Sequence, residues 1–319
     1  MRNSFLSLIF LISYSTLHAG PVSRHGALHV ENTLLKDEHG NTVILRGLSF
    51  GWHNYWPRFY NAGAVQTLAK DFGCTVVRAA MGVEPEHGYL KEPKQSTKKI
   101  EAVVEAAIKA NIYVIIDWHS HQIHEEEAIR FFKEMAKKYG HLPNIIYEIF
   151  NEPVNDSWQE VKNYSINVIK AIRKIDPDNI ILVGTPHWAQ DIHLAADDPI
   201  QGYSNLMYTL HYYAATHKQG LRDRADYALQ KGLPLFISES AGMQATGDGP
   251  IDTVEWQKWR DWSEKNNISW LTWSVADKNE SCSILKNGVS AIGPWKDENL
   301  KESGILIRKY LLAFREKEK

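Results

Sequence analysis

The chain has 319 residues, 44% hydrophobic and 23% charged, a balance that supports a large globular core and excludes a disordered, fibrous or disulfide-scaffold protein. Lys+Arg 36 against Asp+Glu 38 leave a formal net charge of -2 with no block of like charge, so neither nucleic acid nor a membrane is an expected partner. Eleven tryptophans in a nearly neutral chain suit stacking on an uncharged, flat-faced ligand better than gripping phosphates.

Met1-Arg2-Asn3 carries one positive charge ahead of a mostly apolar run, Phe5–Ile12, that is too short to span a bilayer. Small residues follow, with Leu17 a loose fit to a cleavage site, so residues 1–19 are expected to be a signal peptide cut after Ala19. That leaves a single domain over 20–319, periplasmic or extracellular. No Pro/Thr/Ser-rich linker separates a further module.

From residue 40 onward, short β-branched runs alternate with longer amphipathic stretches. The predicted strands are Val43–Leu48, Thr75–Ala80, Tyr113–Trp118, Ile145–Phe150, Ile180–Gly184, Leu206–Leu210, Pro234–Ser238 and Ser269–Trp273. Helices are expected over Ala62–Phe72, Ser96–Ala110, His124–Tyr139, Ser157–Ile175, Leu221–Lys231, Asp252–Asn266 and Leu300–Phe314, with a weak one near Ala189–Ala196. Eight apolar strands alternating with helices imply an α/β fold, a (β/α)8 TIM barrel, with Gly26–Asp37 a short N-terminal hairpin at the barrel bottom. An open doubly wound sheet is the rival, but no glycine-rich phosphate turn follows the first strand. In a barrel, Cys74 and Cys282 fall at opposite faces, beyond the ~7 Å reach of a disulfide. Two free, buried thiols are expected.

Barrel chemistry collects at the C-terminal strand ends. Those ends carry Trp52-His53-Asn54, Arg78, Asp117-Trp118-His119-Ser120-His121, Asn151-Glu152-Pro153, His211-Tyr212-Tyr213, Ser238-Glu239-Ser240, and Trp273 followed by Asp277-Lys278-Asn279-Glu280. Glu152 and Glu239 leave non-adjacent strands and face one mouth. Two carboxyl groups among aromatics suit glycosidic hydrolysis, one protonating the leaving oxygen and the other ionised. Arg78, if it reaches Glu239, would hold it ionised. Against this stands the plain reading that exposed glutamates at loop starts are common.

Other residues have competing readings. His119, His121 and His124 raise zinc as an alternative, although no further ligand set stands at other strand ends. Glu148, inside a strand, suits an internal hydrogen-bond network. Trp256, Trp259 and Trp262 recur at helical spacing and read as packing residues. Glu125-Glu126-Glu127 suits a helix start, where negative charge meets the dipole. Asp117 either orients an imidazole or is structural.

The runs Ile145-Ile146-Tyr147-Glu148-Ile149-Phe150-Asn151-Glu152-Pro153, Val76-Val77-Arg78-Ala79-Ala80-Met81 and Ile115-Ile116-Asp117-Trp118-His119 resemble glycoside hydrolase family 5, as does Trp273–Ser281. Within that family the chain is similar to bacterial endo-β-1,4-glucanases, over nearly its whole mature length. The resemblance implies a retaining mechanism with Glu152 as acid/base and Glu239 as nucleophile. It further implies Asn151 on the sugar 2-hydroxyl, Arg78 and Tyr213 holding the nucleophile, and His119 and His211 lining the subsite beside the cut. Trp273 would stack under a sugar, Lys278 and Glu280 would bond sugar hydroxyls further along the cleft, and Trp52 and Trp188 would be further platforms. The implied partner is a β-1,4-linked polysaccharide, with no cofactor and a monomeric chain. Mannan, xyloglucan or mixed-linkage glucan on the same machinery, and a carbohydrate binder on an inactive barrel, remain as rivals. Ser240-Ala241-Gly242 departs from the aromatic residue the family often has after the nucleophile, and the loop Ser49–Trp56 departs from variants with an early His.

Overall fold

A computed structural model describes residues 20–317, with side chains through Arg315; the expected signal peptide lies outside the described residues. A two-stranded antiparallel hairpin, β1 (His29–Glu31) and β2 (Leu34–Lys36), precedes eight parallel strands. These are β3 (Arg46–Phe50), β4 (Val76–Gly82), β5 (Tyr113–His119), β6 (Ile145–Glu148), β7 (Ile180–Val183), β8 (Leu206–Tyr213), β9 (Leu235–Ala241) and β10 (Trp270–Val275). They close in the order β10-β3-β4-β5-β6-β7-β8-β9, the expected (β/α)8 barrel.

The near-continuous apolar runs resolve into two faces because side chains alternate along a strand. On β5, Val114, Ile116 and Trp118 pack outward in the main core beneath the helices. Tyr113 and Ile115 point inward to a second cluster with Val76, Ile146, Ile180, Leu182, Met207, Phe236 and Leu271. Leu28 and Leu35 of the hairpin region, with Val43 and Leu45, join that inner cluster. The hairpin therefore closes the barrel bottom as expected.

Element limits moved more than element identity. The first barrel strand begins at Arg46 rather than Val43, because Val43 and Leu45 bury themselves in the plug. The third and fourth of the main helices, Glu125–Tyr139 and Trp158–Arg173, start where acids and a capping box dictate: Glu125-Glu126-Glu127 form the first turn of one, and Ser157 with Glu160 caps the other. The weak fifth helix is split into a four-residue turn, Pro186–Ala189, and a short helix, Ile192–Asp197. A further short helix, Pro21–His25, was not expected. Cys74 and Cys282 are free and buried. Trp256 and Trp259 are fully packed, and Trp262 lies against the same core.

Candidate active site

Above the apolar plug the same inward positions become charged. Arg78 follows Val76 on β4, Asp117 follows Ile115 on β5, and Glu148 follows Ile146 on β6. Arg78 is completely buried and binds Glu148 (Nε to Oε2, 2.6 Å), Asp117 (3.0 Å) and Glu239 (Nη1 to Oε2, 3.0 Å). Burial would lower its pKa, but the charges of Asp117, Glu148 and Glu239 outweigh that and raise it, so it stays a cation. Glu148 also accepts from Ser238 Oγ at 2.6 Å, the internal network expected of it.

Glu239 depends on a local irregularity. The β8–β9 register shifts between Thr209 and His211, so the consecutive residues Ser238 and Glu239 both reach the barrel interior. Ser238 then bonds Glu148 and His211, while Glu239 accepts from Arg78 and from Tyr213 Oη at 2.8 Å. Burial and the Glu152 charge push the Glu239 carboxyl up, and His211, Arg78 and Tyr213 pull against that rise.

Glu152 stands just beyond β6 on backbone that continues along the β5 loop: Asn151 N–H donates to Trp118 O and Glu152 N–H to Ser120 O. Its two oxygens meet two imidazoles. His211 Nδ1 is 2.8 Å from Oε1, and His121 Nε2 is 3.3 Å from Oε2. Burial alone would raise this carboxyl, but the hydrogen bonds and charges of His121 and His211 overcome it and hold Glu152 at about 2. Burial lowers His211, yet its close approach to Glu148 at 3.7 Å, its bond to Glu152 and the carboxylate charges prevail and carry it to about 9. Glu152, His211 and Glu239 each place a ligating atom within 4.8 Å of the others.

Asn151 Oδ1 accepts from Arg78 at 2.6 Å, leaving its buried Nδ2 without a hydrogen-bond partner. His119 Nδ1 lies 2.7 Å from Asp117, and its ring stacks on Trp273 at 5.2 Å. Trp52 packs edge-on against His119 at 4.4 Å. On the other side Trp188, 42% exposed, lines a cavity of about 540 Å³ with Glu152, His211, Tyr213, His217 and Glu239. Three consecutive residues, His187, Trp188 and Ala189, have left-handed backbone (φ 58°, 57° and 56°), an unusual turn for non-glycine residues. Trp188 N–H donates to Pro153 O, tying this turn to the Glu152 segment.

Most of the expected site therefore converges: Glu152, Glu239, Arg78, Asn151, His119, His211, Tyr213, Trp273 and Trp52, with Trp188 at the rim. Lys278 and Glu280 pair with each other at 2.5 Å in the loop after β10, outside the carboxylate cluster. The three histidines considered for zinc do not converge: His119 turns to Asp117, His121 to Glu152, and His124 Nε2 lies 3.3 Å from Glu84. Sequence reasoning missed His121 as a partner of Glu152, and the signal was its place just past a strand end. It also missed Ser238, which precedes Glu239 and is inward only because of the register shift.

The model of the cellulase family, glycosyl hydrolase family 5, matches residues 36–279. An endoglucanase of Clostridium saccharobutylicum is 40% identical, over 96% of this chain and 71% of that protein. Endoglucanase Z of Dickeya dadantii is 42% identical, over 97% of this chain and 70% of its own. Among solved structures, the catalytic domain of Thermobifida fusca endoglucanase Cel5A superposes with a TM-score of 0.87 at 32% identity, covering 92% of this chain and 99% of that one. A substituted form of that enzyme has been solved in complex with cellotetraose.

Proposed function

This chain belongs to glycosyl hydrolase family 5, the cellulase family, and from that premise we propose that it cuts internal β-1,4 bonds of a cellulose-type glucan by retaining double displacement. The observation that carries this reading is the contrast between the donors on two carboxylates whose oxygens come within 4.8 Å. Retaining pairs stand ~5–5.5 Å apart, whereas an inverting pair stands ~6.5–9.5 Å apart to admit a water.

Glu239 is gripped by Arg78 and Tyr213. Neither gives up a proton near neutral pH: guanidinium stays charged, and burial pushes the Tyr213 hydroxyl well above its ordinary value. That suits a nucleophile which must stay anionic until it attacks the anomeric carbon. Glu152 is held by imidazoles, which can both give and take a proton in the working range. In the free site its proton rests on the His211 side of the 2.8 Å bond. A sugar oxygen against Glu152 draws a proton from its imidazole partners onto the carboxyl and then onto the departing alcohol. The glycosyl–Glu239 ester forms as the glycosidic bond breaks. Water then attacks the anomeric carbon, returns a proton to Glu152 and releases Glu239 as a carboxylate.

Asn151 Nδ2, buried and unpartnered, is the donor available to a sugar hydroxyl. The Trp273, His119 and Trp52 rings form one wall of the mouth, and Trp188 forms the rim beyond Glu152. The cellotetraose held by the Thermobifida relative supports a linear β-glucan as substrate. We further propose that residues 1–19 are an export signal cut after Ala19, which N-terminal sequencing of the exported form at Gly20 would test. The decisive assay of function is carboxymethylcellulose viscosity. A fast fall with few new reducing ends, absent in Glu239→Gln, is expected; no fall with the native enzyme would remove the cellulose assignment.

A further inference from the structure

Glu152 carries two imidazoles, and they occupy different surroundings. His211 is sealed, with 2% of its side chain exposed, whereas the His121 side chain is 37% exposed in the cleft. His121 sits on a short loop after β5 that has its own anchor. Glu84, just beyond β4, accepts at one oxygen from Ser120 Oγ, from His121 N–H (3.1 Å) and from Gln122 N–H (3.2 Å). Ser120 Oγ also reaches Gln122 O, and Ser120 O accepts from Glu152 N–H. One carboxylate therefore fixes the backbone from which His121 extends and the backbone against which Glu152 is placed.

We propose that His121, fixed by Glu84, is a positioning residue that orients the Glu152 carboxyl and exchanges its proton with solvent. This deepens the acid/base reading of Glu152 and rests on it. The cycle balances. Imidazolium Nε2–H of His121 gives its proton to Glu152 Oε2 as a substrate oxygen approaches the free lone pair of the same Oε2, toward which the new O–H turns. Glu152 passes that proton to the leaving alcohol, and the imidazole is left neutral. When water attacks the glycosyl–enzyme, its proton goes to Glu152 and from there back to His121, restoring the resting pair.

The groups facing His121 support this. Glu152 contacts it from beyond β6, Glu84 from beyond β4, and Glu239 acts across the cleft from β9. His119 from β5 lies 6.3 Å away ring to ring, and Trp52 covers one side at 5.5 Å. Burial lowers the imidazole pKa, but the Glu152 hydrogen bond and the charges of Glu152, Glu84 and Glu239 outweigh it and raise it. Glu152 in turn faces His211 from β8 and the charge of Glu239.

The test uses two aryl cellobiosides, compared by kcat/KM, which reports steps up to glycosyl–enzyme formation. Dinitrophenolate departs without protonation, while methylumbelliferone needs the acid. His121→Asn is expected to lose at least about tenfold on the methylumbelliferyl substrate, within the range of general acid catalysis, and less than about twofold on the dinitrophenyl one. Glu84→Ala is expected to show the same contrast in weaker form, with thermal melting confirming that both variants fold. Equal losses on both substrates, or no loss on either, in folded His121→Asn would overturn the proposal. Glu152→Ala run beside them separates the two readings. If it shows the contrast and His121→Asn does not, the proposal alone fails; if Glu152→Ala lacks the contrast, the acid/base reading falls and the proposal with it.

Discussion

The two ends of this barrel are built from the same inward positions on the same strands, and they do opposite work. At the closed end Val76, Tyr113, Ile115, Ile146, Leu182, Met207, Phe236 and Leu271 meet Leu28 and Leu35 from the hairpin region, with no charge among them. Two residues further along β4, β5 and β6, Arg78, Asp117 and Glu148 fill the equivalent positions, and His211 and Glu239 join them. The lower layer gains stability from apolar burial, at roughly 25 cal/mol per Å². Buried ion pairs above it spend much of their attraction on lost hydration. Their return is a set of donors fixed before substrate arrives, the arrangement that stabilises developing charge most effectively. The plug lets the mouth be costly.

Substitutions at the two ends should therefore separate activity from stability. Glu239→Gln removes the proposed nucleophile while keeping its size, so kcat on a soluble glucan should fall on the order of 10⁴–10⁶-fold with the melting temperature held or raised. A variant that stays active would break the comparison at its centre. Arg78→Met should remove activity and stability together. It leaves Glu148, Asp117 and Glu239 buried beside one another without their cation, a loss of about 3–5 kcal/mol measurable by denaturant unfolding. At the other end, Leu35→Ala should cost about 2–5 kcal/mol by the same measurement while kcat of the folded fraction stays within about twofold. If Leu35→Ala damaged turnover as much as stability, the two layers would not be independent.

The pH responses of the ends should differ too. At the mouth, His211 is raised to about 9, so the proton it shares with Glu152 is present below that value and lost above it. The kcat/KM profile should fall on its alkaline side by about 9, with an apparent value that belongs to Glu152 and its two imidazoles together rather than to any one residue. At the base, burial would raise Asp37, but hydrogen bonds from His25, Asn41 and His39 prevail and hold it at about 2. A carboxyl depressed in the folded state adds stability above its ordinary value of 3.8 and loses that contribution as pH falls toward 2. Asp37→Asn should flatten the acid loss of stability in that window, the smallest of these effects, without moving the alkaline limb of activity.

The barrel itself was legible because near-continuous apolar runs and helix signals are local. Eight apolar runs separated by amphipathic helices leave few architectures, and residues just past the strand ends fall at one mouth in all of them. This is why Glu152, Glu239 and Arg78 could be named from their places in the chain, whereas the role of Tyr213 came from the family resemblance. What stayed hidden depends on contacts between distant segments. The β8–β9 register shift that turns both Ser238 and Glu239 inward is set by pairing across strands, and strict alternation would have put one of them outside. The left-handed turn carrying Trp188 has no glycine to announce it. His121 looked like a possible zinc ligand because its spacing from His119 is visible in sequence, whereas the Glu84 anchor that aims it at Glu152 spans 37 residues. Lys278 and Glu280 were assigned by resemblance, and their mutual ion pair is a contact no single-residue reading contains.

Double displacement needs two carboxylates close enough for one to form a covalent bond while the other handles the proton. The most direct measurement is proton NMR of cellotetraose during its first minutes of cleavage. The β-anomer of the new reducing end should accumulate first and then mutarotate toward equilibrium, as double displacement through Glu239 requires. Initial accumulation of the α-anomer would mean inversion by an activated water and would contradict the assignment of Glu239 as nucleophile.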